Sequence, residues 1–465
     1  MHSAAFLDLC DELGFYVYEE FTDKWHSGSY DRYYAREWQA DVDAMITRDR
    51  NRPSVILWGA GNEVENQAQS SMLDTLHQLT DRIRMMDPTR PVSYAMNPHF
   101  KRRSGIDAAR VADIQKFVDE ADEYEIEDPY ERVECISRIA QYVDVISCNY
   151  QEQWFDAIRA ANPDKPILAT EVYPFFLGHW ENMQNFCLND LPVAFGEKHP
   201  ACCGSFIWAG YDYLGESQAW PNRGSTSAVF RSNGRPRMTA HILRALWTAE
   251  PMVRLGIMDY SLRDELTKEH WSIPPYEEIW DFPQIRKQVV PYLIATNCEE
   301  VILSYGEKRL FLYPDPHGPS GYLTGFVPYV PGEITATGLM GGRPVCSHTL
   351  RTPEAPAALR WIDVPERLPA RPGLQRLLTV VLEDVHGTCL LRNGEEVTFA
   401  VEGPATVAAT DNGDASCPLP FQTDHAPLFR GTAGMLLRLT GKPGTVRLRA
   451  VTASGVAGEA VLRVG

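Results

Sequence analysis

Carboxylates, amides and aromatics recur where short apolar runs of the first half of the chain end. Glu19 and Glu20 close "GFYVYEE", Asn62 and Glu63 close "SVILWGAGNE", and Asn149 and Tyr150 close "VDVISCNY". Glu171 closes "PILATE", and Trp208 and Asp212 lie in "GSFIWAGYDY". The run Val55 to Trp58 begins with β-branched residues and is bounded by Pro53 before it and by Gly59 and Gly61 after it, the pattern of a strand buried on both faces in a parallel sheet. Where such a strand ends, the backbone leaves the core, so a carboxylate sits at an opening that apolar side chains keep partly dry. Asn62 and Glu63 alone could equally start the next helix. A ring of polar residues from several strand ends is instead what an α/β-barrel active site requires. If Glu63 and Glu171 face each other at about 5 to 5.5 Å, they suit hydrolysis of a glycosidic bond with retention, one as acid and one as ionised nucleophile. Trp58 is expected to wall the acid and Tyr150 to hydrogen-bond the nucleophile. Trp208, with Tyr211 or Tyr213, offers flat faces to a sugar ring or else caps the core.

Strands must place these residues, and the surrounding sequence supplies them. From residue 1 to about 250, six buried-type runs alternate with amphipathic segments. Trp38, Val42, Met45 and Ile46 recur at helical spacing, as do Met72, Leu76, Leu79 and Ile83, and Pro88 stops the second helix. A parallel α/β architecture follows. Beyond about residue 255, prolines and glycines punctuate short alternating stretches such as "RLFLYP" and "VTFAVEGPATVAATDNG", the pattern of β-sandwiches. Pro353, Pro356, Pro365, Pro369 and Pro372 crowd one segment and suggest a boundary near residue 353. The expected domains are residues 1–252, 253–352 and 353–465.

Composition narrows the partners. A formal net charge of −18 spread along 465 residues argues against nucleic acid and anionic membrane, and favours a neutral substrate. No apolar run is long enough to span a bilayer. Ten cysteines without a CxxC pair read as buried free thiols, which favours a reducing, cytoplasmic compartment. No metal signature, nucleotide loop or other cofactor motif is present in the sequence. A homo-oligomer is compatible with it.

The segments "LDLCDELGFYVYEEFTDKW", "RDRNRPSVILWGAGNE", "VDVISCNYQEQWFDAI", "KPILATE" and "GSFIWAGYDYLGE" together resemble glycoside hydrolase family 2, in particular its β-galactosidase-like members. The resemblance covers nearly all of residues 1 to 250, and continues more loosely into the β region. It implies a (β/α)8 TIM-type barrel followed by two small all-β immunoglobulin-like sandwich domains. Glu63 matches the family's acid/base, Glu171 its nucleophile, Asn62 the residue that contacts the sugar 2-hydroxyl, and Tyr150 the tyrosine beside the nucleophile. Trp208 falls where the family places an aromatic at the end of the last strand. The implied activity is a retaining exo-glycosidase acting on a terminal β-linked sugar, foremost galactose, of an oligosaccharide or glycoconjugate. β-Glucuronidase and β-mannosidase share the fold and the two glutamates, and an inactive sugar-binding or structural remnant is the reading from another class.

Three departures bear on this. Glu19 and Glu20 stand where the family usually has Asp-Glu, which touches sugar preference. Arg52 replaces a histidine, and Gly59 replaces a serine. The match also begins inside the barrel, with Met1 in the loop after the family's second strand. The expectation is an N-terminally truncated barrel whose first and last strands expose unpaired edges and apolar surface. Any secretion signal would precede that point, which leaves localisation open.

Overall fold

The computed structural model describes residues 2–26, 29–98, 129–174, 199–217, 220–258, 276–282, 288–314 and 321–465, with the backbone of 100–102 and 123–125 and residues 193, 194 and 196. It divides into two compact units, residues 1–173 with 192–207, and residues 174–191 with 208–465. Among the described residues, no helix is long and apolar enough to cross a membrane.

The first unit is built on a curled six-stranded sheet: β1 (Val17–Glu20), β2 (Val55–Asn62), β3 (Val92–Met96), β4 (Ile146–Asn149), β5 (Ile167–Val172) and β6 (Cys202–Ile207). Every neighbouring pair is parallel and spatial order equals chain order. A sheet that adds each strand beside the last, with crossovers between them, is wound as a barrel is wound rather than as a doubly wound sheet. The expected TIM-type architecture, incomplete as a barrel, is therefore present.

The crossovers include α1 (Ala4–Leu13), α2 (Asp31–Asp49), α3 (Ser70–Met86), α4 (Pro129–Ala140) and α5 (Phe155–Ala161). Met72, Leu76, Leu79 and Ile83 of α3 are buried, as are Val42, Met45 and Ile46 of α2, so the helical spacing lies on the packed faces. Ser3 caps α1 by accepting from the Phe6 N–H, and Gly14 ends it in the left-handed conformation. Arg52 pairs with Asp8 and Asp11 of α1 at the amino end of β2, the end opposite Glu63. Phe6, Leu9, Leu13, Phe15 and Tyr16 are 45 to 75% exposed, a run of apolar surface on α1 and the approach to β1.

Within the second unit, the described residues of 253–351 form two four-stranded sheets around one core that includes Leu255, Trp280, Ile294, Val301 and Tyr329. Residues 358–464 form a four-stranded and a five-stranded sheet around a separate core that includes Trp361, Val380, Phe399, Met435 and Leu448. The change of core falls within the proline-crowded segment.

Candidate active site

Four strand ends of the first unit converge on a hydrogen-bonded network. The centre is Asn149, the last residue of β4 and fully buried. Its amide donates to Asn62 Oδ1 (2.8 Å) and to Glu63 Oε1 (3.0 Å), and its Oδ1 accepts from the Thr170 hydroxyl of β5 (2.7 Å). One side chain thus ties β2, β4 and β5 together at their carboxyl ends. Asn97, just past β3, gives Glu63 Oε1 a second donor at 2.9 Å, and Gln151 holds Asn97 Oδ1 at 3.0 Å.

Glu63 follows β2 with φ 43°, in the left-handed region that L side chains rarely adopt. Its own N–H donates to Ala95 O of the next strand (2.9 Å), which fixes the carboxylate at the mouth. The sharp exit needs Gly61: its φ is 154°, and a Cβ there would lie 2.3 Å from the indole nitrogen of buried Trp25. Gly59 is explained by the neighbouring strand. A Cβ at Gly59 would meet Tyr18 Oη at 2.7 Å and Glu20 Cγ at 2.9 Å, so serine would crowd Glu20.

Tyr150 also has positive φ (56°), held by its N–H to Glu171 O at 2.9 Å. Its hydroxyl donates to Glu171 Oε2 at 2.7 Å, and its ring lies 4.5 Å from that of Tyr173. Burial, reinforced by the charge of Glu63, pushes the Glu171 carboxyl up to about 8. Glu63 by contrast accepts from Asn97, Asn149 and Lys24, whose Nζ is 3.2 Å from Oε2. Glu171 therefore holds a proton more readily than an ordinary carboxyl, against the hydrogen bond from Tyr150 that favours its ionised form. Removing the tyrosine hydroxyl tests this contact. Tyr150→Phe should lower kcat/KM by about 10- to 100-fold, the worth of one hydrogen bond to a charged group, with the fold intact by circular dichroism.

Glu20 joins the site and Glu19 does not. Alternation along β1 sends them to opposite faces. Glu20 is pushed up to about 8 by burial, then by Asp23, and it contributes to the raised Glu171. Glu19 is fully buried on the other face, where it accepts from the His2 ring (2.6 Å) with Arg48 of α2 at 3.8 Å. Trp58 is likewise turned away from Glu63. Its N–H donates to Asp87 at the end of α3 (3.0 Å) and the Arg90 guanidinium lies 6.0 Å from the ring centroid, so the expected apolar wall is corrected to the helix side of the sheet. Asn62 has its amide engaged at both ends, by Asn149 and by Asp23 Oδ1 (2.9 Å).

Trp208 belongs to the second unit, where its indole donates to Tyr213 Oη at 3.0 Å with the rings edge to face. Asp212 is a structural partner: Arg237 grips it with two 2.8 Å hydrogen bonds, both side chains buried.

Glu152, absent from the sequence expectations, is 1% exposed and its Oε1 has no hydrogen-bond partner. Burial pushes it up to about 8. Below its ordinary value both folded and unfolded chains hold the proton, and no stability is lost. As pH rises from about 4.5 to 8, the unfolded chain releases it first, so stability falls across that window. Glu152→Gln should therefore raise the unfolding free energy at pH 8 by on the order of a few kcal/mol, read from denaturant titration, and leave it nearly unchanged at pH 4.

Comparison with known proteins identifies the family and the fold. Residues 2–212 match the TIM barrel domain of glycosyl hydrolases family 2, and residues 375–461 match glycoside hydrolase family 2 C-terminal domain 5. A β-galactosidase of Bacteroides ovatus is 24% identical, over 98% of this chain and 55% of its own length. A putative β-glucuronidase of Formosa agariphila is 24% identical, over 98% of this chain and 43% of its own. The chain thus spans about half the length of these curated relatives. A crystal structure of a family 2 member from Bacteroides cellulosilyticus superposes with a TM-score of 0.81 at 23% identity, over all of this chain and 56% of that one. With the strand order, the paired strand-end glutamates and both domain matches in place, the chain belongs to glycoside hydrolase family 2.

Proposed function

We propose that this chain carries the acid/base and nucleophile of a retaining exo-β-glycosidase that removes a terminal β-galactosyl residue from an oligosaccharide or glycoconjugate. The observation that carries the reading is the single network joining Glu63 to the β4 and β5 ends, with Tyr150 beside it donating to Glu171. In the first step the Glu171 carboxylate attacks the anomeric carbon, the glycosidic C–O bond breaks, and the leaving oxygen takes a proton from Glu63. Water then attacks the anomeric carbon and gives its proton to Glu63, and the ester bond to Glu171 breaks. The first step needs Glu171 ionised, so substrate binding must oppose the burial that raises its carboxyl.

The sugar is the finer part of the proposal. Among the described residues, Lys24 is the cation paired with Glu63, and it is already neutralised by Glu63 and Asp23, each at 3.2 Å. A uronate carboxylate would have to displace one of these carboxylates from the ammonium, and a neutral hexose fits better. Nitrophenyl β-glycosides of galactose, glucuronic acid, mannose and glucose test the choice. Galactoside should be cleaved at least about tenfold faster than the others, with β-galactose as the first-formed anomer by NMR. An inverted first product, or a glucuronide faster than the galactoside, would overturn the mechanism or the sugar respectively.

A further inference from the structure

Lys24 lies outside the residues that perform the two bond changes, yet it contacts the one that must change roles between them. Its Nζ is 3.2 Å from Glu63 Oε2, and both groups are partly shielded, with side-chain exposures of 30% and 25%. Asp23 Oδ1 anchors the arrangement from the other side, holding Lys24 at 3.2 Å and accepting from the Asn62 amide at 2.9 Å. Lys24 and Asn62 are thereby fixed on either side of Glu63 by one carboxylate. Glu20 lies near the same ammonium and Glu171 feels its charge, so three acids of the site respond to Lys24.

An ammonium at hydrogen-bond distance favours the ionised carboxylate over the protonated one. Glu63 must be protonated for the first step and ionised for the second. The contact therefore helps one half-reaction and opposes the other. We infer that Lys24 is a positioning residue for the second step: it holds Glu63 as the ionised base that deprotonates the attacking water, and so speeds hydrolysis of the glycosyl-enzyme. The structure already holds the Lys24 ammonium against Glu63 Oε2. The inference rests on the proposed roles of Glu63 and Glu171.

The test isolates the second step. Wild type, Lys24→Met and Lys24→Arg are treated with a 2-deoxy-2-fluoro-galactoside bearing a good leaving group, freed of excess reagent, and followed for regain of activity. In water, Lys24→Met should regain activity about tenfold more slowly than wild type, while Lys24→Arg stays within about threefold. Azide needs no general base, so with azide present Lys24→Met should reactivate as fast as wild type. On an activated galactoside the same variant should show a burst of aglycone and a joint fall of kcat and KM, as the intermediate accumulates. Reactivation of Lys24→Met at the wild-type rate in water would overturn the inference, as would equal slowing with azide, which marks a general distortion of the site. Failure of the wild type to form any adduct on Glu171 is a separate result, and it would overturn the roles given to the glutamates.

Discussion

Glu171→Ala is expected to lower kcat by about 10⁴-fold or more, with azide restoring part of the rate. The loss is large because Glu171 is the group on which the covalent intermediate forms. Glu63 sits at the end of β2 and is committed to Asn97, Asn149 and Lys24, so it cannot take over that role. Alanine also opens space next to Tyr150, whose hydroxyl loses its acceptor, and a small anion fits there. The product formed with azide should be the glycosyl azide of inverted configuration, since a single displacement replaces two. Steady-state kinetics with and without azide, and NMR of the product, decide it. A near-normal rate without azide would remove Glu171 from the nucleophile role.

Glu63→Ala should discriminate between leaving groups. On an unactivated disaccharide the rate should drop by about 10²- to 10⁴-fold, because the departing alkoxide needs a proton. On a dinitrophenyl glycoside, whose leaving group is already a weak base, the first step should be almost unaffected. The second step still lacks its base, so the intermediate accumulates and azide relieves the block. Equal losses of the first step, read as kcat/KM, on both substrates would argue against Glu63 as general acid.

Much of this arrangement is legible in the sequence, for a physical reason. A strand buried on both faces must be short, apolar and sharply ended, so "SVILWGAGNE" and "PILATE" declare both a strand and its mouth. The helical faces of α2 and α3 are equally readable, because packing demands one apolar side. What the sequence hides is which face a side chain takes and what a loop brings back. Glu19 and Glu20 read alike, but period-two alternation sends only Glu20 to the pair, and nothing local fixes the phase. Trp58 was expected beside Glu63, and the same phase problem put it on the helix side. Asn97 ends the run "PVSYAM" by one residue and could have been found by applying the strand-end rule to β3. Lys24 could not. It lies four residues beyond β1, in a segment with no periodicity, and its contact with Glu63 spans 39 positions. Glu152 is unreadable because a buried carboxylate with one orphaned oxygen, in a short 3-10 helix, looks in sequence like any solvated one.

The most direct measurement is the intact mass of the chain after incubation with 2-deoxy-2-fluoro-β-galactosyl fluoride, followed by peptide mapping. The account predicts one added fluorogalactosyl group, esterified to Glu171, with no adduct on Glu171→Ala. An adduct on another residue, or none with any of the galactosyl, glucosyl, mannosyl and glucuronyl reagents, would contradict it.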